Sequence, residues 1–187
     1  MDALSFISGI LFAAGGVLYI IAIVRGKKPQ KVTWLVWSLL DSLTFFGMYS
    51  SGAPIGQILS AACVAWITFA FAIKYGTSEW FKTDIVCLGL GILGIVLWQT
   101  VDSATWAILA GVSGIIVGAY PTFVSAIQDP SQEDKLGWTL FWLSCIVAVA
   151  AVPKWTLDNA AQPLTFLAIE SAMMYLLFIR PQSLARV

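Results

Sequence analysis

Two acidic residues lie inside segments of the chain that are otherwise apolar. Asp41 belongs to the segment Val32–Tyr49, and Glu170 belongs to the segment Leu164–Ile179. An ionised carboxylate at mid-membrane depth costs about 2.5–3.5 kcal/mol on insertion scales, so such residues usually face an interior cavity and serve a function. The alternative is a protonated acid that is hydrogen-bonded to a neighbouring backbone group. The two carboxyl groups are therefore the first candidates for contact with a polar ligand.

Tryptophan residues recur at helical spacing beside Asp41. Trp34, Trp37 and Asp41 follow one another after three and four residues, which places them on one face of a helix. A similar spacing returns later in the chain at Trp138, Trp142 and Cys145. An indole can stack on a sugar or another flat ring and donates one N–H, although a deep tryptophan is more often part of the core. Trp37 and Trp142 are predicted to line one shared pocket, and the deep Trp66 is a further candidate.

The composition excludes a water-facing surface over most of the chain. Of the 187 residues, 59% are hydrophobic and only 11% are charged, whereas soluble domains carry about 25% charged residues. The chain contains no His, the commonest metal ligand and a frequent general base. Its three cysteines lie in apolar runs, which disfavours a disulfide or zinc site. The sequence predicts an all-α integral membrane protein in a lipid bilayer, not an enzyme, with no catalytic residue, metal, cofactor or nucleic-acid partner.

Seven apolar segments are candidates for transmembrane helices, each of which needs about 20 residues. They run Leu4–Val24, Val32–Tyr49, Ile55–Ile73, Ile85–Val101, Ala104–Ile127, Leu136–Val152 and Leu164–Ile179. The fourth is the weakest, because only Ile85–Trp98 is continuously apolar. The connections between the segments are short, so any function is expected to reside within the helical bundle.

The basic residues predict the orientation of these spans. Lys and Arg prefer short loops on the cytoplasmic side. With the N-terminus outside and seven spans, nine of the ten basic residues fall on the inner side and only Lys154 falls outside. The prediction is therefore an outer N-terminus and a cytoplasmic C-terminus. A bacterial inner membrane is the expected location.

The two halves of the chain resemble each other. Three pairs match at a shift of 101 to 104 residues: Tyr19/Tyr120, Lys31/Lys135 and Trp34/Trp138. Each half therefore contains three spans, and the single fourth span gives the second half the same orientation as the first. The predicted plan is two parallel three-helix repeats, residues 1–76 and 104–187, joined by a linker helix in residues 77–103, that is, 3+1+3.

This alignment places polar residues on matching faces of the third and seventh spans. At a shift of 106, Glu170 matches Val64 and Pro163 matches Gln57. Gln57 and Ser60 therefore share the face that corresponds to the face of Glu170. We expect these polar side chains to contact one central cavity between the repeats.

The first and fifth spans supply further candidates. Tyr19 and its match Tyr120 are added to the predicted binding residues. Pro121 frees a backbone carbonyl within the fifth span and predicts a hinge, with a static kink as the alternative. A stripe of small residues on the same span predicts close helix packing, either between the repeats or in a homo-oligomer. The stripe consists of Ala110, Gly114 and Gly118.

Two loops carry opposite charge. The segment Gln128–Asp134 is acidic, and its counterpart Arg25–Lys31 is basic. One interpretation is that the loops pair across the cytoplasmic end of the bundle, and the other is that their charges are simply solvated.

The plan and local residues resemble the SWEET and PQ-loop (MtN3-like) transporter superfamily, as a divergent bacterial-type member. Tyr120-Pro121-Thr122 stands where that superfamily has Pro-Gln in its second repeat, and Pro130-Ser131 lies near its Lys-Ser. In the first repeat the equivalent place is Tyr19-Ile20. The resemblance covers nearly the whole chain. It implies two parallel three-helix repeats around a central binding cavity, and transport of a sugar or a similar small metabolite.

Two classes of function follow from these features. The first is a small-solute transporter that works by alternating access around the central cavity. The alternative is a non-transporting membrane receptor or assembly protein of the same fold, because a fold does not determine a function. The sequence leaves open the substrate, the oligomeric state, and whether transport is passive or coupled to protons.

Overall fold

The chain forms seven helices in the computed structural model, which describes residues 3–101, 103–130 and 133–180. The helices are α1 (Ala3–Val24), α2 (Lys31–Ser51), α3 (Gly56–Tyr75), α4 (Lys82–Val101), α5 (Ala104–Gln128), α6 (Lys135–Ala150) and α7 (Leu157–Met174). A π-helical turn, Tyr175–Ile179, continues α7. Within the described ranges the extended structure is limited to an isolated bridge between Gln30 and Thr77.

Five of these helices are long and apolar enough to cross a membrane: α1, α3, α4, α5 and α7 with its π-helical turn. The predicted weakness of the fourth span is not borne out, because α4 is a continuous 20-residue helix. Of the other two predicted spans, α6 has only 16 residues. Helix α2 has 21 residues, but it carries buried polar side chains such as Ser38, Asp41 and Thr44. The chain therefore has the character of a membrane-embedded helical protein.

The helices pack in two similar groups. Helix α3 packs against both α1 and α2, and α7 packs against both α5 and α6. Between the groups, α1 contacts α6 and α2 contacts α5, while α4 packs on the outside of α5 and α2. The core therefore lies in the middle of the bundle, where α1, α2, α5 and α6 meet.

Glycines allow α1 and α3 to approach each other closely. The backbone of Gly56 lies against the backbone oxygen of Ser5, whose side-chain oxygen accepts a hydrogen bond of 2.9 Å from the Gly56 N–H. One and three turns further along α1, Gly9 faces the carbonyl of Gly56 and Gly16 faces the side chain of Val64. Small residues at such contacts provide the close packing that holds helices together in lipid.

Replacing Gly56 with alanine is expected to destabilise the protein by about 1–3 kcal/mol, the usual cost of overpacking a helix contact. The added Cβ meets the Ser5 backbone, which cannot rotate away as a side chain could. Thermal unfolding of the detergent-solubilised protein measures the effect. The matched control is Gly89→Ala, because an added Cβ at Gly89 meets no atom within 4 Å. Equal melting temperatures for the two variants would contradict this prediction.

Candidate binding cavity

A cavity of about 220 Å³ lies between the helices. Its walls come from six of them, α1, α2, α3, α5, α6 and α7, together with the loop between α1 and α2 and Glu133 of the loop between α5 and α6. The volume is smaller than the roughly 300–1,000 Å³ of pockets that hold drug-sized ligands. The cavity is therefore suited to a small solute.

Both of the acids singled out in the sequence line this cavity. Asp41 belongs to α2 and Glu170 belongs to α7, and each is only 7% exposed. Within the described part of the chain, Glu170 Oε2 is buried without a hydrogen-bond partner. A buried polar atom almost always has a partner, so this exception needs an explanation. In the same part of the chain, no group of three acidic, Cys or His side chains could hold a metal ion.

Aromatic rings form the wall next to Asp41. The ring centroids of Tyr19 and Trp34 are 5.1 Å apart, and those of Trp34 and Trp37 are 5.3 Å apart. The indole nitrogen of Trp37 is buried without an acceptor among the described residues and lies against Gly118 of α5. Gly118 therefore makes room for the Trp37 ring, since any side chain at this position would occupy the same space.

The small-residue stripe of α5 packs inside the protein. Gly114 lies against the side chain of Leu40 on α2, as Gly118 lies against Trp37. Ala110 faces Gly94 of α4. The sequence left open whether this stripe packs within one chain or in a homo-oligomer. Its contacts with α2 and α4 show that it packs within one chain.

Three phenylalanines close one end of the cavity. The ring of Phe12 is 4.5 Å from that of Phe141 and 6.0 Å from that of Phe166, measured between centroids. They come from α1, α6 and α7, and all three are buried. This end is therefore closed by an aromatic layer.

A buried polar network lies one helical turn beyond that layer. The amide nitrogen of Gln57 donates to Ser144 Oγ at 3.0 Å and to Cys145 Sγ at 3.2 Å. The amide of Gln162 donates to Gln57 Oε1 at 3.0 Å, and Ser8 Oγ donates to the Ser144 carbonyl at 3.0 Å. The network connects α1, α3, α6 and α7. Gln57, predicted to face the solute, instead holds the closed end together.

The opposite end of the cavity carries an ion pair between the two charged loops. Lys27 Nζ lies 2.8 Å from Glu133 Oε2, which also accepts a 2.9 Å hydrogen bond from Trp138 Nε1. Asp134 caps α6 by accepting from the Leu136 and Gly137 N–H groups, and so positions the preceding Glu133. Of the two interpretations of these loops, pairing or solvated charges, this contact supports pairing for Lys27 and Glu133.

Tyr19 completes this end of the cavity, which we call the mouth. The Lys27 ammonium lies 4.3 Å from the centre of the Tyr19 ring, a cation–π distance. Burial lowers the pKa of Lys27, but the neighbouring Tyr19 and Glu133 outweigh burial, so the pKa is raised above its usual value. Lys27 is therefore charged at physiological pH, and its pair with Glu133 is intact.

Besides Gln57, four of the predicted binding residues do not line the cavity. Trp66 is 41% exposed and donates to Ser42 Oγ, and Tyr120 is 63% exposed. Trp142 is half-buried and donates to Ser171 Oγ, and Ser60 lies beside Gly9 in the contact between α1 and α3. Pro121 lies in the continuous helix α5, but its side chain is outside the described part, so the hinge stays a prediction.

Helical register explains why Trp142 and Tyr120 lie elsewhere. The cavity is lined by Phe141 and Thr122, which are one and two residues away, and each residue turns a helix by about 100°. The shift of 104 that relates Trp34 to Trp138 also relates Trp37 to Phe141. A shift of 104 residues from Trp37 therefore gives Phe141 and not Trp142. The prediction named Trp142 because it is a tryptophan, as Trp37 is.

No protein-family model, curated protein or solved structure matches this chain. Its function is therefore argued from the cavity itself.

Proposed function

We propose that this chain is a small-solute membrane transporter that works by alternating access around the cavity. The observation that carries the proposal is a cavity lined by two acidic side chains, with a separate set of contacts at each end. One set is the Lys27–Glu133 pair at the mouth, and the other is the phenylalanine layer with the glutamine network behind it. In this proposal, the two sets of contacts act as gates. A transporter needs two closures that open in turn, whereas a receptor needs only one entrance.

The proposed architecture is seven spans arranged as two parallel three-helix repeats with α4 as linker. The packing supports it, because the third helix of each group lies against the other two. Contacts between the groups come in equivalent pairs: Gly15 of α1 receives Phe141 of α6, and Gly118 of α5 receives Trp37 of α2. A pseudo-two-fold axis that relates the two three-helix groups would also relate these two contacts to each other.

Such an axis would pass near the glutamine network. Gln57 and Gln162 are 105 residues apart and hydrogen-bonded to each other, as expected for equivalent residues on either side of an axis. This register pairs Glu170 with Ala65 rather than Val64. The match of Gly15 with Gly118, a shift of 103 residues, pairs Tyr19 with Thr122 rather than Tyr120. Ala65 and Thr122 both line the cavity, whereas Tyr120 does not. The proposal therefore keeps the predicted plan of two three-helix repeats, but it aligns them with shifts of 103 and 105 residues instead of 101 and 106.

The proposed orientation places the N-terminus outside and the mouth on the cytoplasmic side of a bacterial inner membrane, as in the SWEET and PQ-loop superfamily that the sequence resembles. A cysteine at Ser131, in a background without the native cysteines, is expected to react only with membrane-permeant thiol reagents. Labelling of intact cells by an impermeant reagent would contradict the orientation.

Uptake into proteoliposomes tests the transport proposal directly. Purified protein is reconstituted, and entry of a panel of radiolabelled sugars, amino acids, nucleosides and small amines is followed against protein-free vesicles. We expect at least one compound to enter faster when the protein is present. Entry of none of them would favour the alternative, a membrane receptor or assembly protein with the same fold.

Trp37→Ala is expected to lower uptake by about tenfold, the effect of losing one buried stacking contact of about 1–1.5 kcal/mol. Trp142→Ala is the matched control, because its ring lies outside the cavity and bonds to Ser171. We expect uptake by the Trp142 variant to stay within about twofold of wild type once the amounts of inserted protein are equal. Equal losses in both variants would contradict the assignment of the cavity.

A further inference from the structure

The mouth of the cavity already contains a complete binding site for an ammonium group. The Lys27 ammonium is held by the carboxylate of Glu133 at 2.8 Å and by the ring of Tyr19 at 4.3 Å. A carboxylate beside an aromatic face combines charge pairing with cation–π attraction. In this protein, that combination is occupied by one of its own side chains.

The deep part of the cavity also combines carboxyl groups with aromatic rings, but no basic side chain of the described residues lies between them. Asp41 and Glu170 supply two carboxyl groups, and Trp34 and Trp37 supply aromatic rings. Among the described residues that line the cavity, the basic ones are Lys27 and Lys28, and both belong to the mouth. Lys27 is already paired with Glu133, and Lys28 is exposed. No basic side chain in this lining is left to neutralise the two acids.

The chemistry of the deep part favours a positively charged ligand over a neutral one. A neutral polyol could hydrogen-bond to the acids, but it would leave any ionised carboxylate in the low-dielectric interior without a counterion. A small organic cation would supply the missing charge and could lie against an indole face at the same time. The volume of about 220 Å³ limits such a ligand to a small molecule.

We propose that the solute of this cavity is a small organic cation, an amine, quaternary ammonium or guanidinium compound, bound between the carboxyl groups of Asp41 and Glu170 and the ring of Trp37. This inference rests on the proposed transport function for its biological meaning. The binding itself can be measured without transport.

Matched pairs of probes separate charge from shape. Choline is compared with 3,3-dimethylbutan-1-ol, in which carbon replaces the quaternary nitrogen, and benzylamine is compared with benzyl alcohol. Binding to the detergent-solubilised full chain is measured by titration calorimetry at constant ionic strength. We expect the cation of at least one pair to bind about tenfold or more tightly than its neutral partner. A neutral partner that binds as tightly as its cation in both pairs, or no binding of either cation, overturns the inference.

Variants test whether the preference for cationic over neutral probes comes from the acids of the cavity. The double variant Asp41→Asn/Glu170→Gln is expected to lose the preference for the cation, while Glu79→Gln, which removes an exposed acid between α3 and α4, is expected to keep it. If the double variant does not fold, the two single variants are measured instead, and each is expected to reduce the preference. A preference that is unchanged in all folded cavity variants overturns the proposed site.

Failure of this inference can be told apart from failure of the transport proposal. Uptake of a sugar into proteoliposomes with no preference for cations in binding would overturn the inference and leave the transport proposal standing. A clear preference for cations in binding, together with no uptake of any compound, would support the inference and overturn the transport proposal.

Discussion

Replacing Glu170 with glutamine is expected to lower solute uptake roughly 10- to 100-fold, the effect of losing a hydrogen bond to a charged group. Glu170 lines the cavity and is almost fully buried, and one of its oxygens has no hydrogen-bond partner in the residues that the structure describes. We therefore expect a bound solute to be the partner of this carboxyl group. Glutamine keeps the size of the side chain but cannot ionise. Initial rates of uptake into proteoliposomes provide the measurement.

A glutamate-to-glutamine substitution outside the cavity is the control. Glu79→Gln removes an exposed carboxyl group outside the cavity and should leave uptake unchanged. Asp41→Asn should act in the same direction as Glu170→Gln, because both acids line one cavity. Wild-type uptake in the Glu170 variant would exclude this acid from the solute path.

A pH gradient then distinguishes the two modes of transport. If a carboxyl group carries protons with the solute, neutral variants lose accumulation driven by the gradient but keep solute exchange between the two sides. If wild-type accumulation does not respond to the gradient, transport is passive and the acids only bind the solute.

Replacing Lys27 with methionine is expected to destabilise the protein by about 3 kcal/mol. This is the lower end of the range for removing one partner of a buried ion pair. Glu133 would remain buried with its charge uncompensated, although Trp138 still donates one hydrogen bond to it. Chemical or thermal unfolding in detergent measures the change. The control is Lys28→Met, since this neighbouring side chain is exposed and its loss should cost less than about 0.5 kcal/mol.

A double-mutant cycle tests whether the loss of stability in the Lys27 variant comes from its ion pair with Glu133. Adding Glu133→Gln to the Lys27 variant removes the uncompensated charge and keeps an acceptor for Trp138. The double variant should therefore be more stable than the Lys27 single variant. Additive losses, with the double variant the least stable of all, would show that the two side chains act independently.

The pH dependence of this contribution follows from the raised pKa of Lys27. A cation with a raised pKa in the folded state stabilises the protein fully below the pKa of the unfolded chain, about 10.4. That stabilisation is lost as the pH rises through the higher folded pKa. Between pH 7 and 9 the free energy of unfolding should not change through this group.

The resemblance between the two halves could be recognised from Trp34 and Trp138, but matching residues by type gave a wrong register at Tyr19 and Trp37. Sequence identity pairs Tyr19 with Tyr120, whereas the structure places Thr122 in the cavity and leaves Tyr120 exposed. A shift of one or two residues in a helix turns a side chain by about 100° or 200°. Identity of residue type is therefore a poor guide to which residue faces inward.

The role of Gln57 could not be read from the sequence either. Its place on a polar face correctly indicated burial in the bundle, but its partners Ser144, Cys145 and Gln162 come from α6 and α7. Those helices lie more than 80 residues further along the chain. Only the packing of the two groups of helices decides whether a buried glutamine faces a solute or bonds to another side chain.

The sequence by itself determined the membrane character and the candidate acids. Both depend on composition and on local hydropathy, because an apolar segment of about 20 residues forms a helix in lipid whatever its neighbours are. Only the tertiary structure decided which aromatic rings accompany the acids. It put Trp37 and Phe141 around the core and turned Trp66 and Trp142 away from the cavity. The physical reason is that the glycine contacts of α1 and α5 set the rotation of each helix, and these contacts form only between segments distant in the chain.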